Sequence, residues 1–256
     1  MSKKRSGRCN GNSNYVFVMQ PEQRFILLVK LAPKLPLNNF KIMKKHLLII
    51  WLVVLAGRVS AGDWTGFRGP FGNGVSDEVG LPVKLDIEKH IAWKVDLPGK
   101  GLSSPLVMGN RVFVTASGGT RQDRLQILCL SSIDGSVIWH RQFWAMGSTM
   151  CHSKTSIAAP TPVTDGASLF AIFSSNDLFC LDLDGKLKWL RGLTVDYPNA
   201  RNSLGMASSL VLSSGVIVAQ VENDSESFVA GLDKRSGRNL WKINRPKSAN
   251  WTTATV

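Results

Sequence analysis

The chain has 256 residues, 44% of them apolar, with 31 basic and 18 acidic side chains and a formal charge of +13. Such a surplus would suggest nucleic acid if it were spread evenly. Residues 1–61, however, hold eleven basic groups against one acid, Glu22, which leaves +3 for residues 62–256 and removes nucleic acid as a partner of the folded part.

Residues 1–42 mix basic residues, Asn and Pro with short apolar pieces (Val16–Met19, Phe25–Val29) and show no periodicity. They read as an overhang ahead of a true start at Met43, or as an extended leader. Met43-Lys44-Lys45-His46, the apolar run Leu47–Ala56 and the small residues of Val59-Ser60-Ala61 read as an export signal over 43–61, cut after Ala61. The apolar run is shorter than the roughly 20 residues of a membrane span. Membrane contact is therefore expected only if the signal stays uncleaved, and the destination is the periplasm or the exterior. Arg58 follows Leu55-Ala56-Gly57 where a lipid anchor would need Cys.

Residues 62–90 read as an extended lead-in. Asp63–Gly74 is rich in Gly and aromatics, but no strand precedes it and no Lys-Ser/Thr ends it, so a phosphate loop is not expected. Residues 91–256 then alternate short apolar runs with turn residues, and no helical periodicity is expected after residue 61. Ile91–Leu97 is a lone outer strand. Four strands follow at Ser103–Val107, Val112–Ala116, Leu125–Leu130 and Val137–Phe143. A second set lies at Thr161–Val163, Leu169–Phe173, Leu178–Leu181 and Lys186–Arg191. A third lies at Ser209–Leu212, Val216–Val221, Phe228–Leu232 and Arg238–Ile243, and Asn250–Val256 would open a fourth.

These sets repeat. Leu128–Trp139, Phe179–Trp189 and Ala230–Trp241 each pass through a polar turn at Gly135, Gly185 and Gly237 and close on Trp139, Trp189 and Trp241. Trp93 continues the series backwards, and the four indoles are spaced 46, 50 and 52 residues apart. An all-β repeat of this length predicts propeller blades. The Gly supplies positive φ at the reversal, and the Trp is a plate for packing one sheet on the next. The middle copy is one residue shorter between Asp and Gly, so its turn should differ in type.

The run Cys129–Trp139 resembles the pyrroloquinoline-quinone-type (PQQ-like) repeat, Ala-x-Asp-x-x-Thr-Gly-x-x-x-Trp. Gly231–Trp241 resembles it more closely through Asp233, Ser236, Gly237 and Trp241, and Cys180–Trp189 keeps Asp182, Gly185 and Trp189. The lead-in Asp63-Trp64…Phe67-Arg68-Gly69 is similar to the start of exported bacterial proteins of this class. The resemblance covers about residues 63–256 and implies an all-β propeller of four-stranded blades. Seven or eight such blades need roughly 350–400 residues, so an incomplete ring is expected, with about three full blades plus partial ones.

The family divides by function. One branch comprises quinone- and calcium-dependent alcohol dehydrogenases, another the propeller scaffold of outer-membrane protein assembly, and related repeats occur in the sensor regions of membrane kinases. The dehydrogenase branch implies adjacent cysteines, and no Cys-Cys pair stands in this sequence. The expectation is therefore an exported, non-catalytic module with no catalytic, cofactor or metal residue assigned. The resemblance to the scaffold branch is the stronger one, and PQQ with calcium belongs to the alternative.

A protein or polysaccharide ligand is expected at the propeller face, on the two long connections 144–157 and 195–206. Trp144, His152, Lys154, Arg201 and Asn202 are the candidate side chains there. Cys129 and Cys180 occupy one repeat position and are expected as packed thiols, with Cys151 free in a loop. His90 and His140 lack an acidic partner at useful spacing, and Asp77, Glu78, Asp224 and Glu226 read as exposed turn charges.

Overall fold

A computed structural model describes residues 62–84, 86 and 90–255. The overhang (1–42), the export signal (43–61) with its cleavage residue Ala61, and Val256 lie outside the described residues.

Among the described residues twelve strands form three four-stranded antiparallel sheets, each in sequence order. The first sheet contains β1 (Leu106–Met108), β2 (Arg111–Gly118), β3 (Arg124–Ser131) and β4 (Val137–Trp144). The second contains β5 (Val163–Thr164), β6 (Ser168–Ile172), β7 (Asp177–Asp182) and β8 (Leu187–Gly192). The third contains β9 (Val211–Ser213), β10 (Val216–Val221), β11 (Phe228–Asp233) and β12 (Asn239–Asn244). The one departure from all-β among the described residues is a single helical turn, α1 (Leu193–Asp196), which caps the end of β8. The sheets are β-propeller blades, not closed into a ring.

The middle strands are buried on both faces, which is why they read as unbroken apolar runs rather than alternating ones. Successive residues nevertheless serve opposite neighbours. Leu169 and Ala171 of β6, with Phe173 just after it, join Phe113, Ile127 and Trp139 of the first blade. Phe170 and Ile172, between them, join Ile217, Ala219 and Phe228 of the third. Phe113, Phe170, Phe173, Phe179 and Phe228 are all fully buried, each stabilising the stack by about 1.5–3 kcal/mol relative to exposure. Cys129 and Cys180 are free thiols packed in these clusters. Burial pushes each up to about 11, so neither is a nucleophile at neutral pH.

The repeat positions build one joint three times. The indole of Trp93 lies over Gly135, that of Trp139 over Gly185, and that of Trp189 over Gly237. A Cβ on those glycines would sit 2.6, 2.7 and 2.8 Å from the ring, and all three have φ between 70° and 81°. Each indole Nε1–H donates to a carbonyl of the same turn: Trp93 to Ser132 at 2.9 Å, Trp139 to Leu183 at 2.8 Å and Trp189 to Lys234 at 3.0 Å. The ring thus buries its apolar face and satisfies its one polar atom together. Every third-to-fourth strand pair also slips register by one residue just before the turn, at Cys129/Leu130, Cys180/Leu181 and Gly231/Leu232, a repeated bulge.

The turn types divide as the one-residue deletion predicts. Gly135 and Gly237 donate to the carbonyl four residues back (Ser131, Asp233), whereas Gly185 donates three back, to Asp182.

Three expectations are corrected. Ile91–Leu97 forms no ladder, although Trp93 within it is buried against the first blade. Asn250–Thr255 forms no strand either. Trp241 does not pack between sheets: it is 40% exposed and folds onto Gly231 of its own blade, where the earlier copies carry cysteine and where a Cβ would meet the ring at 2.1 Å.

The lead-in is built into the sheet edge. Trp64 bridges Val107 of β1 through paired hydrogen bonds of 2.8 and 3.0 Å, and Thr164 N–H of β5 donates to Thr65 O. It therefore runs along the inner strands of the first two blades.

Candidate binding face

Antiparallel order sends the two ends of every blade to different faces. The turns between first and second and between third and fourth strands lie on one face. The hairpins between second and third strands, with the connections from one blade to the next, lie on the other, called here the loop face. Hydrogen bonds tie the loop face together. His152 N–H donates to Leu204 O, Ser174 N–H to Ile157 O, Leu193 N–H to Asn176 O and Ala249 N–H to Asp224 Oδ1.

The hairpin Ser174–Asp177 is its anchor. Asn176 takes φ 66°, the left-handed position that Asn tolerates. It donates from its side chain to Ala200 O, which pins the second connection. Asp177 is fully buried, and one carboxylate oxygen accepts from Ser175 Oγ at 2.7 Å and Met146 N–H at 3.0 Å, which pins the first. Its other oxygen has no hydrogen-bond partner among the described residues. Burial raises this carboxyl above its ordinary range, and the Ser175, Met146 and Gly147 donors pull back only part of that shift.

The five candidate side chains divide. Trp144, His152, Lys154 and Arg201 are exposed on the loop face, with Trp144 at 66%. Asn202 is buried and donates to Ser174 O at 2.7 Å and Asn176 Oδ1 at 3.2 Å, so it braces the connection. Nor are the acidic residues uniformly exposed turn charges: Glu226 is half-buried 3.7 Å from Lys242, and the neighbouring Glu222 is buried against Arg245 at 2.7 Å. His140 meets Gln126 Oε1 at 2.8 Å and accordingly has a structural partner.

Charge on this face is lopsided. Arg121, Lys154, Arg201 and Lys247 are exposed and form no ion pair among the described residues. Of the acids there, Asp196, Glu222 and Glu226 are paired to Arg191, Arg245 and Lys242, which leaves Asp123, Asp224 and the buried Asp177. Apolar groups stand among the cations: Met146, Met150, Val195, Leu204 and Trp251 are all at least 47% exposed.

Two features escaped the sequence reading. Arg141 and Arg191, each two residues after a repeat Trp, donate to Gly185 O at 2.6 Å and Gly237 O at 2.7 Å, adding a cation to each joint. The signal was Trp-x-Arg in two successive copies. The second is a hydroxyl series at the inner edge. Ser104 N–H donates to Thr161 Oγ1, Thr161 N–H to Ser209 Oγ and Ser209 N–H to Thr253 Oγ1, each at 3.0 Å. A Ser or Thr two residues before each first strand was its trace. Thr253 extends the series into a fourth unit even though its segment forms no ladder.

Beside that series lies a cleft of about 630 Å³, lined also by Phe67 and Arg68 of the lead-in and by Trp251. Among the described residues no three His, Cys, Asp or Glu side chains come together as a metal-ligand set, and no helix is long and apolar enough to cross a membrane.

Comparison with known proteins places this architecture. The sequence family described as outer membrane protein assembly factor BamB matches residues 75–255. Quinohemoprotein alcohol dehydrogenase ADHIIG from Pseudomonas putida HK5 is similar in structure, at 15% identity and a TM-score of 0.52, over 72% of this chain and 27% of that one. The quinohemoprotein alcohol dehydrogenase from Comamonas testosteroni is similar at 14% identity and a TM-score of 0.50, over 75% and 28%. BamB from Moraxella catarrhalis is 16% identical, with a TM-score of 0.37, over 62% of this chain and 56% of that one. The chain thus spans little more than a quarter of the two dehydrogenases, and at these identities the likeness is one of fold. No curated protein sequence matches it.

Proposed function

The chain belongs to the outer membrane protein assembly factor BamB family, and from that premise we propose that it is an exported, non-catalytic propeller module that binds a protein through its loop face. The observation that carries this reading is the mixture of unpaired cations and exposed apolar side chains on a backbone pinned by Asn176, Asp177 and Asn202. Loops held this firmly present their side chains with little ordering cost on binding. A polysaccharide would take the same face, but the Met, Val and Leu side chains there fit a protein surface better.

Export rests on the signal read at residues 43–61. The quinone-dependent alternative is favoured by the fold shared with the quinohemoprotein dehydrogenases, so the residues must be weighed against that group. The three cysteines of the described residues stand singly at 129, 151 and 180, two of them packed in different blade cores. The inner edge of the first two blades carries the lead-in instead. These residues do not fit a quinone with calcium, and no reaction step is assigned to them.

The test uses the full chain. A crosslinking residue in place of Trp144 should capture an envelope protein, and the double variant Lys154→Glu with Arg201→Glu should abolish that capture without altering melting. Arg235→Glu, on the turn face, should leave capture intact. Dye-linked oxidation of alcohols on adding the quinone and calcium would overturn the non-catalytic reading.

A further inference from the structure

The inner cleft has a composition that the stacking of blades does not require. Arg68 holds φ 65°, a left-handed backbone that is costly for a side chain of its kind. The position is fixed from both sides: Gly69 N–H donates to Gly66 O, and Gly74 N–H donates to Arg68 O at 2.8 Å. The strained residue is exposed, lines the cleft and forms no ion pair among the described residues. Backbone strain held in place at an arginine that lines a cleft marks a recognition position.

Thr161, Ser209 and Thr253 line the same cleft, the first two only 2% and 4% exposed and Thr253 half-buried; each accepts a main-chain N–H on the hydroxyl oxygen, and none has an acceptor for its own proton among the described residues. Their acceptor sides engaged, these hydroxyls offer donors, one per blade and in a row. Phe67 and Trp251 supply apolar walls, 39% and 50% exposed.

We propose that this cleft binds an extended acidic peptide, with a carboxylate on Arg68 and main-chain carbonyls on the hydroxyls of Thr161, Ser209 and Thr253. A row of donors matches carbonyls and carboxylates, whereas a sugar brings hydroxyls of both kinds. The unpaired Arg121, Lys154, Arg201 and Lys247 of the loop face extend the same complementarity. The proposal rests on the reading of the chain as a protein-binding module and names the chemistry of what it takes.

Calorimetric titration of the full chain tests it, using a short capped peptide of alternating glutamate and alanine. The glutamine counterpart and an oligogalacturonate serve as the other arms. The acidic peptide should bind about tenfold more tightly than the glutamine peptide. Arg68→Gly and Arg68→Asn, both tolerant of the left-handed backbone, should erase that difference while melting holds or rises. Equal affinity for both peptides, undiminished binding in both variants, preference for the oligogalacturonate, or no binding in any arm would each overturn the proposal. Capture at Trp144 is unaffected by these outcomes, so a failure of the cleft and a failure of the loop-face reading are told apart.

Discussion

At the turn end of the sheets three indoles meet three glycines in one way, with one hydrogen bond each. At the loop end no two connections are alike: one carries Trp144 and His152, the next a helical turn and a buried Asn202. The same blades thus separate two tasks. The indole contacts that recur as the sheets stack lie on one face, so the connections on the other can vary without loosening them. Trp241 marks the boundary of the scheme, since it bears the repeat residue but lies on its own blade's Gly231.

Breaking the repeated joint should cost most. Trp139→Ala removes a buried indole and should lower stability by about 3–5 kcal/mol. Trp241→Ala, at a position 40% exposed, should cost about 1 kcal/mol. Urea midpoints of the two variants measure the contrast, and equal losses would erase the distinction between joint and edge. Gly185→Ala follows, at about 2–4 kcal/mol, because the new Cβ would meet the Trp139 ring at 2.7 Å on a backbone with φ 81°. Arg191→Ala should cost about 1.5–3 kcal/mol, since Gly237 O and Asn239 Oδ1 both lose a charged donor at 2.6–2.7 Å.

A smaller effect sharpens the loop side. The folded pKa of Asp177 lies above its unfolded value, so its contribution favours the fold at acid pH and is lost as pH rises through the carboxylate range. Asp177→Asn keeps an oxygen for Met146 N–H and Ser175 Oγ without the buried charge. Its advantage over the natural chain should therefore grow from acid to neutral pH, as urea midpoints at the two extremes would show. Asp165, held below the ordinary range by Lys234 and by the Ala167 and Ser168 amides against its own desolvation, has the opposite slope, its contribution being lost as pH falls. Smallest of all, Lys154→Glu should shift stability by under about 0.5 kcal/mol while weakening partner capture, because Lys154 is exposed and unpaired.

Much of the blade was legible beforehand. Gly135, Gly185 and Gly237 with Trp93, Trp139 and Trp189 could be read because a residue that must fit against its own repeat recurs at a near-constant interval. The shortened middle turn was readable for the same reason. Less could be read at the loop face: Trp144, His152, Lys154 and Arg201 are exposed on long connections, whereas Asn202 is buried, because only the fold brings Ser174 and Asn176 to its amide.

Local pattern determined the strands, their order within each blade and the turn chemistry, since each depends on residues a few positions apart. Tertiary structure decided what depends on distant partners. It turned Ile91–Leu97 and Asn250–Thr255 from expected strands into unladdered segments, because a strand exists only where a neighbour offers its hydrogen bonds. It also brought residues 57, 48 and 44 apart into one hydroxyl series and set Arg68 beside it. No periodicity encodes such a meeting of lead-in and inner strands; it follows from how the sheets stack.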